Sequence, residues 1–185
     1  MIEHFYKDIQ GHFDFEGPYA DAVSRAKDGG VLVEVGTWRG CSLAFLAVQA
    51  HNSGKQLQVI GVDMFEDSAD THMANNPENG QFPTLAEVSA HFIQLPQVRL
   101  IKALSWVAAG QFARESVDFI WLDACHDYAS VKRDIDAWWP VLKPGGVFGG
   151  HDYDLWNYPG VVAAVHEKFG PCRRIHRSWI VEKPC

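Results

Sequence analysis

Five side chains of chemically active types, Asp63, Asp123, His126, His151 and Asp152, stand just past short β-type runs in this sequence. Asp63 ends the run 57–63, Asp123 ends the run 117–123, and His151-Asp152 follow the run 146–150. Charge at the buried edge of a sheet is costly, so a purely structural sheet has little reason to place three carboxylates there. In an open α/β sheet that edge is where ligands bind, near the point at which strand order reverses. An acid ending the second strand is placed to accept hydrogen bonds from the two hydroxyls of a ribose. The imidazole three residues after Asp123 can take a proton at neutral pH, its ordinary pKa being near ~6.5. Taken singly, each has a plainer account: Asp63 as a turn residue, His126 as a loop residue capping the helix that opens at Tyr128.

The loop after the first β-type run reads Glu34-Val-Gly-Thr-Trp-Arg-Gly-Cys-Ser42. Gly36 permits a tight turn, and Gly40 permits close backbone approach to a ligand or to the sheet. Their spacing is neither the Gly-x-Gly-x-x-Gly of dinucleotide folds nor a phosphate loop, which would end in Gly-Lys-Ser/Thr. Alone the two glycines describe a tight strand–helix corner. Together with Asp63 they favour an adenosine ligand.

The elements that must position these groups alternate along the chain. Runs 31–36, 57–63, 98–102, 117–123 and 146–150 are β-rich; stretches 17–27, 41–51, 84–95, 105–114, 128–142 and 159–169 are helical in pattern. That alternation predicts an α/β protein, a single Rossmann-like doubly wound domain over residues 1–185. Its sheet is expected to be mostly parallel and seven-stranded, with an antiparallel edge strand from 173–176 and 179–181. Residues 1–30 read as an N-terminal arm and helix. Thr84 and Glu87 predict a capping box, and Lys143-Pro-Gly-Gly146 a helix stop. Residues 64–83, rich in Asn, Asp, Gly and Pro, make an unusually long loop and are expected to be a lid or substrate loop. Phe65, His72 and Met73 are its candidate substrate contacts. His4 and His12 read as exposed, or as part of an arm over the pocket, and Trp138-Trp139 as core or an oligomer contact.

A net charge of -7 argues against a nucleic-acid partner, which needs a basic face. Cys41, Cys125, Cys172 and Cys185 lack zinc or redox spacing and read as reduced thiols. No signal-peptide core opens the chain, and no run approaches the roughly 20 apolar residues of a membrane span. The expectation is a cytoplasmic protein without a membrane partner, suited to forming a homo-oligomer.

The ordered pieces Glu34-Val-Gly-Thr-x-x-Gly-x-Ser42, Gly61-Val-Asp63, Asp123-Ala-Cys-His126-x-Tyr128 and Leu142-Lys-Pro-Gly-Gly146 with Gly150-His-Asp152 resemble the class I S-adenosylmethionine-dependent methyltransferases. The likeness runs from Val31 to about Phe169. Within the class the chain is most similar to the small bacterial group that includes macrolide sugar O-methyltransferases, and more distantly to catechol O-methyltransferases. The resemblance implies that Glu34, Gly36, Thr37, Trp38, Gly40 and Ser42 surround the methionine part of S-adenosylmethionine. It implies that Asp63 takes the ribose, that Ser105 and Trp106 border the adenine, and that Asp123 contacts cofactor, metal or substrate. It makes His126 the general base for a small hydroxylated acceptor. Asp123 and Asp152 would ligate Mg²⁺. His151 stands where the family carries a third carboxylate, a departure that suits Mn²⁺ or another softer ion.

Rival readings meet the same residues. A nicotinamide oxidoreductase needs the missing glycine fingerprint and room for a second domain. A nucleic-acid methyltransferase on this fold would carry an Asn/Asp-Pro-Pro-aromatic run, which is absent. A non-catalytic module binding S-adenosylmethionine or adenosine shares the cofactor loop, and only Asp123, His126 and Asp152 speak against it.

Overall fold

Residues 1–68 and 81–185 are described by a computed structural model. In it the β-branched runs form β1 (Val31–Val35), β2 (Gln58–Asp63), β3 (Val98–Lys102), β4 (Val117–Leu122), β5 (Leu142–Gly150), β6 (Arg173–Ile175) and β7 (Ser178–Glu182). These build one sheet in the order β3-β2-β1-β4-β5-β7-β6. The first five pair in parallel. The expected antiparallel element is the β6–β7 hairpin, in which β7 runs against both β5 and β6.

Side chains alternate across the sheet, as the two-residue strand period requires. Leu32, Val59, Phe119 and Trp121 pack with α1 (Glu16–Arg25) and α2 (Cys41–Asn52). Val33, Val35, Ile60 and Ile120 face α4 (Ser105–Ala109), α5 (Tyr128–Trp138) and α6 (Pro159–Phe169). Glu34 is in phase with Leu32, so it enters the α1/α2 layer rather than the opposite one. The short α3 (Leu85–Ala90) carries the expected capping box between Thr84 and Glu87.

Strand order reverses between β1 and β4, which opens a crevice beyond their carboxyl ends. Gly36 lets those ends close up. Its φ is +91°, and a Cβ there would fall 1.9 Å from the Asp123 carbonyl oxygen. The backbone is stitched at this point by Gly36 N–H to Val62 O at 2.8 Å and Asp123 N–H to Val35 O at 2.7 Å.

Some boundaries move. The helix expected over 128–142 ends at Trp138: Trp139 still has helical geometry and donates to Ile135 O, but Pro140 has no amide to continue the ladder. The following strand starts at Leu142, so the Lys143–Gly146 turn is a register shift within β5 rather than a helix stop. The helix expected over 105–114 ends before Gly110. Among the described residues no helix is long and apolar enough to cross a membrane. None of the four cysteines is in a disulfide.

Candidate active site

The strand-end loops enclose a cavity of about 560 Å³. Gly36, Thr37, Trp38, Ser42, Asp63, Ser105, Trp106, Asp123, His126, His151 and Asp152 all line it. Glu34 and Gly40 do not. Gly40, at φ +87°, turns the chain into α2 while its amide donates to Thr37 O at 2.8 Å. Glu34 is fully buried behind Ser42: Tyr19 Oη donates to Oε2 at 2.6 Å and Ser42 Oγ to Oε1 at 3.0 Å. Burial pushes this carboxyl up to about 8, against the two hydrogen bonds.

Asp63 ties two loops together. It accepts the Trp38 amide on Oδ2 at 2.6 Å and the Phe65 amide on Oδ1 at 2.9 Å. Burial raises its pKa while those amides oppose the rise. The carboxylate also lines the cavity. Ser105 Oγ accepts the Trp138 indole N–H at 2.9 Å, and the Arg133 guanidinium sits 3.9 Å above the Trp106 ring.

Across the cavity the ends of β4 and β5 bring four titratable groups together. His126 Nε2 lies 2.8 Å from Asp152 Oδ2. Arg177, from the β6–β7 turn, donates through Nη2 to Asp152 Oδ1 at 2.7 Å. His151 turns Nε2 to Asp14 Oδ1 of the N-terminal arm at 2.9 Å, leaving Nδ1 3.5 Å from Asp152 Oδ1 and 3.9 Å from Asp123 Oδ1. Burial lifts Asp123 to about 6, with His151 opposing. Burial would also lift Asp152, but hydrogen bonds from His126 and His151 hold it well below the usual range. For His151 burial works downward, and Asp152, Asp123 and Asp14 overcome it to give about 9.

The carboxylates were expected to join His151 around a divalent ion. The donor atoms that converge, within 4.8 Å of one another, belong instead to Asp123, His126 and Asp152. His151 has Nε2 committed to Asp14. Both Asp152 oxygens already face nitrogen donors, one of them a permanent cation. This donor set does not fit a Mg²⁺ site, which asks for oxygen ligands and free carboxylate edges.

Four further residues of the site escaped the sequence: Asp14, Asp134, Tyr158 and Arg177. Asp134 carried a visible signal, an acid on the apolar stripe formed by Val131, Ile135 and Trp138. It is 3% exposed, its Oδ1 has no partner among the described residues, and burial pushes it up to about 7. The others come from the arm, a loop and a hairpin turn, whose approach no local pattern announces. Phe65, an expected substrate contact, is instead buried in the core beside α2; His72 and Met73 lie outside the described residues. His12 lines the cavity, whereas His4 stacks on Phe45 at 4.8 Å. Trp138 is core, as expected.

Residues 33–153, well over half of the chain, match the methyltransferase domain family. The chain belongs to that family. The methyltransferase has the class I, S-adenosylmethionine-dependent architecture. It resembles the O-methyltransferase NovP with a TM-score of 0.67 at 19% identity, over 92% of this chain and 79% of that one. It resembles MycE of the mycinamycin biosynthetic pathway, solved with Mg and SAH, at 0.60 and 14%, over 95% of this chain and 51% of that one. An rRNA methylase from Streptococcus thermophilus gives 0.60 and 14%, over 91% and 95%. At such identities these likenesses speak to fold alone. No curated protein matches the chain.

Proposed function

We propose that this methyltransferase moves the methyl group of S-adenosylmethionine to a hydroxyl of a small molecule, with His126 taking the hydroxyl proton. The observation that carries this reading is the His126–Asp152 pair, 2.8 Å apart, opening into the same cavity as Asp63 and the Gly36 turn. A sulfonium methyl is already activated, so the protein must mainly hold an acceptor oxygen in line with the S–CH₃ bond. The oxygen–carbon bond forms as the carbon–sulfur bond breaks, the sulfonium becomes the neutral thioether of S-adenosylhomocysteine, and the proton passes to His126.

Asp63 takes the ribose hydroxyls, and Ser105 and Trp106 flank the adenine. Thr37, Trp38 and Ser42 meet the methionine part, with Glu34, Gly36 and Gly40 shaping the loop behind them. Asp123, between the two halves, orients the acceptor. A cavity of about 560 Å³ suits a cofactor with a small acceptor. An rRNA methylase shares the fold, but the net charge of -7 favours a small molecule over RNA.

Calorimetry with S-adenosylmethionine and S-adenosylhomocysteine comes first, followed by turnover on a panel of hydroxylated small molecules with wild type and His126→Ala. Cofactor binding and turnover that His126→Ala abolishes are expected. No cofactor binding would overturn the proposal. Near-normal turnover by His126→Ala would remove the base, and binding without turnover across the panel would favour the non-catalytic module.

A further inference from the structure

We propose that Arg177 supplies, from within the chain, the positive charge that a divalent cation supplies in metal-assisted methyl transfer, so that this enzyme works without one. The inference rests on the methyltransferase reading above. Its starting point is that both oxygens of Asp152, one of the three groups whose donor atoms converge, already face Arg177 and His126.

Arg177 stands in the tight turn between β6 and β7, outside the segment that matches the family. Its carbonyl accepts the Tyr153 amide at 2.7 Å, which pins the turn against the loop after β5. From there the side chain lines the cavity, lies 5.6 Å over the Tyr158 ring, and reaches Asp152 Oδ1 at 2.7 Å. The other Asp152 oxygen faces His126 at 2.8 Å. A dication at Asp123 and Asp152 would have to displace the guanidinium or sit beside it, and a guanidinium keeps its charge at any working pH. His151, in place of a third carboxylate, adds another nitrogen donor on the same side.

The guanidinium balances the Asp152 charge from the cavity wall, so that this carboxylate and His126 are held without a metal.

The test is Mn²⁺ binding followed by electron paramagnetic resonance on wild type, Arg177→Gln and Arg177→Gln/Asp123→Asn, with methyl transfer measured before and after chelation. Wild type is expected to bind Mn²⁺ only weakly, at millimolar concentration or above, and to keep its turnover after chelation. Arg177→Gln is expected to lose turnover and to bind Mn²⁺ roughly tenfold or more tightly, a gain that Asp123→Asn removes. Micromolar Mn²⁺ binding by wild type, or loss of its turnover on chelation, overturns the proposal. An Arg177→Gln protein that binds Mn²⁺ no better than wild type does the same. If that variant fails to fold, the wild-type titration alone decides. Failure of the methyltransferase reading shows separately, as absence of S-adenosylmethionine binding.

Discussion

His126 and Asp152 follow different strands, β4 and β5, yet Nε2 of one lies 2.8 Å from Oδ2 of the other. The approach depends on parallel pairing of the two strands, which sets Leu122 opposite Gly150 and carries both following loops out at one edge. It also depends on Gly160 in the first turn of α6, where a Cβ would fall 2.7 Å from the His126 carbonyl oxygen. With one ring nitrogen held by Asp152, the orientation of the imidazole is set before the acceptor arrives. His126→Ala is therefore expected to lower kcat by about 10²–10⁴-fold, the usual contribution of a positioned base. S-adenosylmethionine affinity, read by calorimetry, should be little changed. Asp152→Asn should lower kcat less while leaving the cofactor affinity intact. Equal loss of kcat and cofactor affinity in His126→Ala would show that the residue shapes the pocket rather than the chemistry.

Asp63 is expected to govern the cofactor. Its oxygens join the Trp38 and Phe65 amides, so removing it loosens the loop as well as the ribose contact. Two charge-assisted hydrogen bonds at about 1.5–3 kcal/mol each predict that Asp63→Ala weakens S-adenosylmethionine binding by at least about 10²-fold. Asp63→Asn, which keeps the shape, should fall between the two. An unchanged dissociation constant in Asp63→Ala would move the ribose elsewhere in the cavity.

Much of this site was legible because strand ends are legible. Asp63 ends β2, Asp123 directly follows β4 and His151-Asp152 directly follow β5, and in a parallel sheet those ends share one edge. The β6–β7 hairpin was visible as two short runs, but its turn was not visibly functional, since nothing local says that Arg177 folds back on Asp152. Asp14 is 137 residues from its partner His151, beyond any periodic signal. Glu34 illustrates a subtler limit. Its motif position suggests ligand contact, while the two-residue strand alternation turns its side chain into the α1/α2 layer, where Tyr19 and Ser42 occupy it.

Gly36 is where the cofactor loop and the sheet meet most tightly. A Cβ there would strike the Asp123 backbone at 1.9 Å in a conformation, φ +91°, that L side chains rarely adopt. Gly36→Ala is expected to cost more than about 3 kcal/mol, because strand ends must part to admit it. Gly17, in the first turn of α1, has nothing within 4 Å of the place its own Cβ would take. Gly17→Ala should stabilise by about 0.5–1 kcal/mol through helix propensity. Thermal denaturation of the two variants side by side checks the contrast, and a Gly36→Ala protein as stable as wild type would contradict the close approach.

Glu34 should make stability depend on pH in a definite direction. Its carboxyl is pushed from 4.5 up to about 8 in the folded chain, chiefly by burial. Between those values the folded state keeps a proton that the unfolded state has lost. Stability from this group is thus full below about pH 4.5, declines as pH rises, and levels off above about pH 8. Asp63 and Asp123, also raised, act in the same sense, so the group must be isolated by substitution. Glu34→Gln keeps the shape and can still accept from Tyr19, but carries no proton to lose. Compared by denaturant unfolding, variant and wild type should be similar near pH 5, and the variant should gain on the order of a few kcal/mol by pH 8. A wild-type slope that persists unchanged in Glu34→Gln would mean that Glu34 is ionised in the folded protein throughout this range, held by Tyr19 and Ser42 against its burial.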